Sequence, residues 1–155
     1  MIRLSLVSVG VVEENASALL VLRSPELERL LIMEIGMLEG RAIALEAEGI
    51  RTPRPLTHDL LYRVIQELGA RVAEVQIRDF RDKTFFANLV LTREGGETII
   101  VDARPSDAIA LALRAKAPIY VDEAVLAAAG MDEKESELET VWDLDDDDGE
   151  NRIVH

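Results

Sequence analysis

The sequence predicts an α+β fold: a single compact domain with a mainly antiparallel sheet and about four helices, followed by an acidic C-terminal tail. Three observations lead there. Short runs rich in Val, Leu and Ile, separated by turn residues, occupy residues 3–35 and 72–102. Segments with helical spacing of apolar residues lie between and after them. A hydrophobic content of 48% in 155 residues is enough to bury one core. The domain is assigned to residues 1–130 and the tail to residues 131–155.

Taken in order, Arg3 to Val12, Ala18 to Arg23 and Arg29 to Ile35 read as strands, punctuated by Glu13-Glu14-Asn15 and Ser24-Pro25-Glu26. Gly36 to Glu48 follows as a helix closed by Gly49, with Leu38, Ala42 and Leu45 at helical spacing. Pro53 and Pro55 stiffen a loop from Ile50 to Leu56. Thr57 then caps an amphipathic helix in which Leu60, Leu61, Val64, Ile65 and Leu68 share one face and Gly69 is the stop. Val72 to Arg78 and Phe85 to Thr92 alternate, and Glu94-Gly95-Gly96-Glu97 turns the chain into Thr98 to Asp102, giving a meander. An Ala-rich apolar helix after Pro105, a short strand from Pro118 to Val121 and a last helix from Asp122 to Ala129, stopped by Gly130, complete the domain.

The net charge of −13 is unevenly distributed. Residues 131–155 carry 11 acidic and 2 basic side chains, which leaves 19 acidic and 15 basic, a balance of −4, for residues 1–130. The Asp143 to Glu150 block is expected to be solvated, either as a solubilising tail or as an inhibitory strand competing for an Arg-bearing surface. A core of −4 predicts weak, salt-sensitive or metal-bridged binding to nucleic acid rather than the basic stripe of a dedicated binder. The absence of cysteine removes disulfides, thiol catalysis and zinc–thiolate sites; it fits a reducing cytoplasm, the expected location, and would also fit other compartments. Ile2 to Val12 is apolar but short and runs into Glu13-Glu14, so it reads as a strand rather than a signal peptide, and no segment is long enough to span a membrane.

Polar chemistry is concentrated at two helix entrances. Asp102-Ala103-Arg104-Pro105-Ser106-Asp107 and Arg54-Pro55-Leu56-Thr57-His58-Asp59 each place Arg-Pro, a hydroxyl and an Asp before an apolar helix. Either an internal duplication or convergent capping explains the parallel. Pro105 suits the first helical position, and Ser106 or Asp107 can accept from the free N–H groups that follow. Backbone donors, the helix dipole and an arginine would together favour an anion, whether a phosphate or a neighbouring carboxylate.

The run from Asp102 to Arg114, followed by Pro118-Ile119-Tyr120-Val121, resembles the bifunctional nuclease domain family. Ile35-Gly36, Glu39, the stretch Pro53 to Leu61 and Thr84-Phe85-Phe86-Ala87 match upstream in the same order, so the resemblance covers roughly residues 1–130. Phe86 stands where the family more usually has tyrosine, and Gly40 where alanine is common. The resemblance implies cleavage of RNA and DNA, a dimeric α+β domain and a bacterial or plastid setting.

Phosphodiester hydrolysis needs an aligned nucleophile, neutralised non-bridging oxygens and a proton for the leaving oxygen. His58 is the histidine placed to help, as base or acid. Arg54 and Arg104 suit the phosphate because a guanidinium grips it bidentately and stays charged, with Thr57 and Ser106 as further phosphate contacts. Asp59, Asp102 and Asp107 suit a divalent metal, Mg²⁺ or Mn²⁺, or the positioning of water, and Glu39 is a weaker candidate. Each has a plainer role open to it: Asp59 and Asp107 as dipole-complementing residues, Arg104 in a corner ion pair, His58 as a solvent-facing residue of the capping turn, and Phe85, Phe86 and Trp142 in a core or interface rather than against bases. The residues alone support an anion-binding domain, and the resemblance adds catalysis. The alternative is a non-catalytic module that recognises a nucleotide or an acidic partner with the same entrances.

Overall fold

The computed structural model describes residues 1–136. Eight strands form one sheet: β1 (Ile2–Val12), β2 (Ser17–Ser24), β3 (Arg29–Gly36), β4 (Ala70–Arg81), β5 (Thr84–Arg93), β6 (Thr98–Ala103), β7 (Ile119–Val121) and β8 (Met131–Asp132). The helices are α1 (Met37–Ala47), α2 (Thr57–Glu67), α3 (Pro105–Ala115) and α4 (Glu123–Ala129). Spatial order is β6-β5-β4-β7-β1-β2-β3-β8, and every pair is antiparallel except β4 with β7. The fold is therefore α+β with a mostly antiparallel sheet, as predicted.

Local chemistry explains the connections. Arg81 pairs with Thr84, so Asp82 and Lys83 form a two-residue hairpin loop, and both have positive φ, at 51° and 58°. That is the backbone a primed turn requires, and a short Asp tolerates it better than most side chains. Bulges at Leu6/Ser8, Val72/Glu74 and Ile77/Asp79 increase the twist of β1 and β4. The sheet curls enough for α4 to touch both β3 and β4, four places apart in the strand order. Residues 131–136 extend the sheet through β8, which pairs Arg29 with Asp132 and Leu30 with Met131. The acidic block, Trp142 and His155 lie outside the described residues.

The core joins Leu20, Leu22 and Leu31 of the first hairpins to Val75 and Ile77 of β4 and to Ile109 and Leu111 of α3. Each of these side chains is essentially withdrawn from water, worth about 1.5–3 kcal/mol apiece in transfer free energy before conformational entropy is subtracted. α3 is the central helix: its Ala-rich surface lets α1 and α2 approach closely while it packs on β4 and β5.

Two expected helix caps are corrected. Thr57 does not cap α2; it is the first helical residue and is exposed, and the preceding Leu56 N–H is taken by the Asp59 carboxylate at 2.9 Å. Of the apolar stripe on α2 only Ile65 is buried. Leu60 and Leu68 are 57% and 76% exposed, and Leu61 and Val64 also face solvent, because the helix rests on α3 and β4 along the strip that carries His58 and Ile65. No side chain caps α3 either: its N-cap is Arg104, and Asp107 turns its oxygens to other partners.

Candidate active site

The first turns of α1, α2 and α3 meet. Their sequences bring one chemically active side chain each: Glu39 at the third position of α1, His58 at the second of α2 and Asp107 at the third of α3. His58 Nε2 lies 2.8 Å from Asp107 Oδ1, while Arg104 Nε donates to Asp107 Oδ2 at 2.8 Å. A second nitrogen of Arg104 donates to Glu39 Oε1 at 2.7 Å. The result is a continuous chain, His58–Asp107–Arg104–Glu39.

The electrostatics follow from those contacts. Burial pushes the Asp107 carboxyl up, but hydrogen bonds from Arg104 and His58 outweigh it and hold the group below the usual carboxylate range. Asp107 is therefore an acceptor at neutral pH, and His58 Nε2 is the donor of their hydrogen bond. The same contacts, with Asp107 first and Glu39 second, raise the Arg104 guanidinium above its ordinary value. His58 is 9% exposed, whereas Arg104 is largely in solvent, with donors to spare beyond the two used.

Asp59 points the other way. It accepts from Leu56 N–H and from Arg114 Nε, the latter at 2.6 Å. Burial pushes its carboxyl up, and the Leu56 N–H and Arg114 together bring it below the usual range. The Arg114 side chain is only 4% exposed and also donates to the Ala110 and Ala42 carbonyls, so one guanidinium ties α1, α2 and α3 together. Sequence reasoning passed over Arg114 as the end of an apolar helix. The available signal was its position seven residues after Asp107, two turns along the same face.

Asp102 is elsewhere: it is 78% exposed on β6 and pairs with Arg78 of β4 at 3.0 Å. Arg78 and Arg81 also lie over the Phe86 ring, at 5.9 and 4.5 Å from its centroid. Ser106 is buried and Thr57 exposed. Arg54 lies in a groove beside Asp59 with Arg51, Arg63 and Arg114, not with Arg104. The three aspartates proposed for a metal thus sit in three separate ion pairs. Among the described residues no three His, Asp or Glu groups converge as cation ligands. These donors, placed as they are, do not fit a cation site.

Residues 20–134 match the family model described as the bifunctional nuclease domain. An uncharacterized protein of Mycobacterium tuberculosis is 45% identical over 137 residues, covering 86% of this chain and 81% of the relative. Bifunctional nuclease 1 of Oryza sativa subsp. indica is 32% identical over 105 residues, and bifunctional nuclease 1 of Arabidopsis thaliana 31% over 105. Those two alignments cover 65% of this chain and 32% of each plant protein. No helix among the described residues is long and apolar enough to cross a membrane.

Proposed function

This chain belongs to the bifunctional nuclease domain family, and from that premise we propose that it is a cytoplasmic nuclease that hydrolyses phosphodiester bonds of RNA and DNA at the junction of α1, α2 and α3. The observation that carries the proposal is the 2.8 Å contact between His58 and an Asp107 whose other oxygen is held by Arg104. With the ionised carboxylate fixing Nε2 as the donor, Nδ1 of a neutral imidazole is left to take the proton of an attacking water. Water oxygen then bonds to phosphorus, the bond to the leaving oxygen breaks, and that oxygen collects a proton from solvent. Arg104, anchored by Asp107 and Glu39, directs its remaining N–H groups at the charge building on the non-bridging oxygens. Asp107 and Glu39 act as positioning residues, while Asp59 and Asp102 stand outside the reaction.

A second reading is favoured by the low exposure of His58: the imidazole only pins α2 to α3, and the module binds a nucleotide or an acidic partner without cutting. Incubating the purified chain with single-stranded RNA and DNA, with chelator and with added Mg²⁺ or Mn²⁺, separates the two. Degradation that follows the protein through successive columns supports the nuclease; intact substrate under every condition supports the binding module. A homodimer belongs to the same proposal, with the exposed Leu60, Leu61, Val64 and Leu68 stripe as its contact, since this face lies away from the groove that holds Arg54 and Arg63.

A further inference from the structure

We propose that the groove between the end of α1, the 50–56 loop and α2 holds single-stranded nucleic acid, with its arginines on the phosphate backbone and the adjoining apolar pocket around one unpaired base. The inference rests on the nuclease reading and specifies the form of its substrate. The groove encloses about 480 Å³ and presents Arg51, Arg54, Arg63 and Arg114 against two carboxylates, Glu46 and Asp59. Both carboxylates are already engaged, Glu46 by Arg51 and Asp59 by Arg114. The Arg54 carbonyl accepts from the Thr52 hydroxyl, but the guanidinium groups of Arg54 and Arg63 make no hydrogen bond or ion pair among the described residues. On a body whose residues 1–130 balance at −4, this concavity carries excess positive charge. Unpaired guanidinium groups in a concave surface suit a polyanion, and Pro53 and Pro55 hold the loop that carries Arg54 in shape.

The second observation concerns bases. Leu45 and Ile50 line both this groove and a neighbouring, mostly apolar pocket of about 390 Å³ whose wall continues through Val11, Met37 and Ala44 and also includes Arg41 and Glu48. Phosphate contacts and an apolar recess therefore share a boundary, which is the alternation that a nucleotide strand presents. A base in a duplex is stacked and paired, so only an unpaired one can enter such a recess without the cost of extrusion. Position agrees as well. Asp107 and Arg114 are seven residues apart on α3, about 10 Å at the α-helical rise, so the groove engages the strand beyond the bond being cut.

The test is fluorescence anisotropy at low salt with a phosphorothioate-linked single-stranded DNA of about 12 nucleotides, within the usual span of single-strand sites. The same strand as a duplex, an abasic strand of equal charge and a polyglutamate peptide serve as comparisons. The single strand is expected to bind about fivefold more tightly than each of them. In the full chain, Arg54→Ala with Arg63→Ala is expected to weaken single-strand binding about tenfold and to flatten the slope of log K against log salt by about 1.4. Circular dichroism should be unchanged, since both residues are exposed. Equal binding of duplex, abasic strand or peptide overturns the proposal, and so does wild-type affinity in the double variant. Arginine-dependent binding with no cutting would remove the nuclease while leaving the groove. His58-dependent cutting with normal binding by the arginine variant would remove the groove while leaving the nuclease.

Discussion

Arg114 reaches Asp59 across 55 residues of sequence at 2.6 Å while almost none of its own side chain touches water. A guanidinium so placed needs its counter-charge, because an unpaired charge in a buried setting costs more than the pair contributes. Asp59→Ala is therefore expected to destabilise the fold by about 3 kcal/mol, through the stranded Arg114 and the orphaned Leu56 N–H. Urea denaturation checks this, and a loss under 1 kcal/mol, on the order of a surface ion pair, would contradict it.

Asp107 makes a different prediction. Its folded-state pKa lies below the ordinary carboxylate value, so its stabilising effect is complete above the unfolded value of about 3.9 and is lost as pH falls through the folded value. Denaturation midpoints measured between neutral and strongly acid pH should fall more steeply for the wild type than for Asp107→Asn once pH drops below about 4. Parallel curves would mean that the contacts with Arg104 and His58 do not persist in solution.

Gly40 is a packing requirement. A Cβ built there would lie 2.5 Å from the Ala18 Cβ, where α1 crosses β2. Gly40→Ala gains about 1 kcal/mol of helix propensity but forces α1 off the sheet, at about 1–3 kcal/mol, and a net loss is expected. Adding Ala18→Gly should recover part of it, seen as a favourable coupling in a double-mutant cycle. Strict additivity would place the strain elsewhere.

The exposed stripe of α2 gives a prediction about assembly. Val64→Glu with Leu68→Glu changes side chains that face solvent in the monomer, so stability should move by about 0.5 kcal/mol or less. Light scattering coupled to size exclusion is expected to show a dimer in the wild type and a monomer in the variant. A variant that stays dimeric would move the interface away from α2.

Most strands and the turn residues were legible in the sequence because alternation and turn chemistry are local: β1 to β3 and the β4–β5–β6 meander fall within a few residues of their expected bounds, whereas the two-residue β8 lies in the stretch read as tail. Pro105 at the first position of α3 was legible for the same reason. What could not be read were the pairings. The links from His58 to Asp107, Asp59 to Arg114 and Glu39 to Arg104 span 49, 55 and 65 residues, and no periodicity encodes which carboxylate meets which base. Asp59 and Asp107 have similar sequence surroundings but different partners, Arg114 for the first and His58 with Arg104 for the second. The stripe on α2 was legible as one apolar face, but helical periodicity alone does not say how much of that face the chain itself covers.

The most direct measurement is the single-turnover cleavage rate of His58→Ala and Asp107→Asn against the wild type, on one single-stranded substrate, with folding of each variant verified by circular dichroism. If the histidine is the proton acceptor and the aspartate sets its orientation, His58→Ala should lower the rate by about 10²–10⁴-fold, with a smaller loss for Asp107→Asn. Folded variants that cut at the wild-type rate would contradict a catalytic role for the pair.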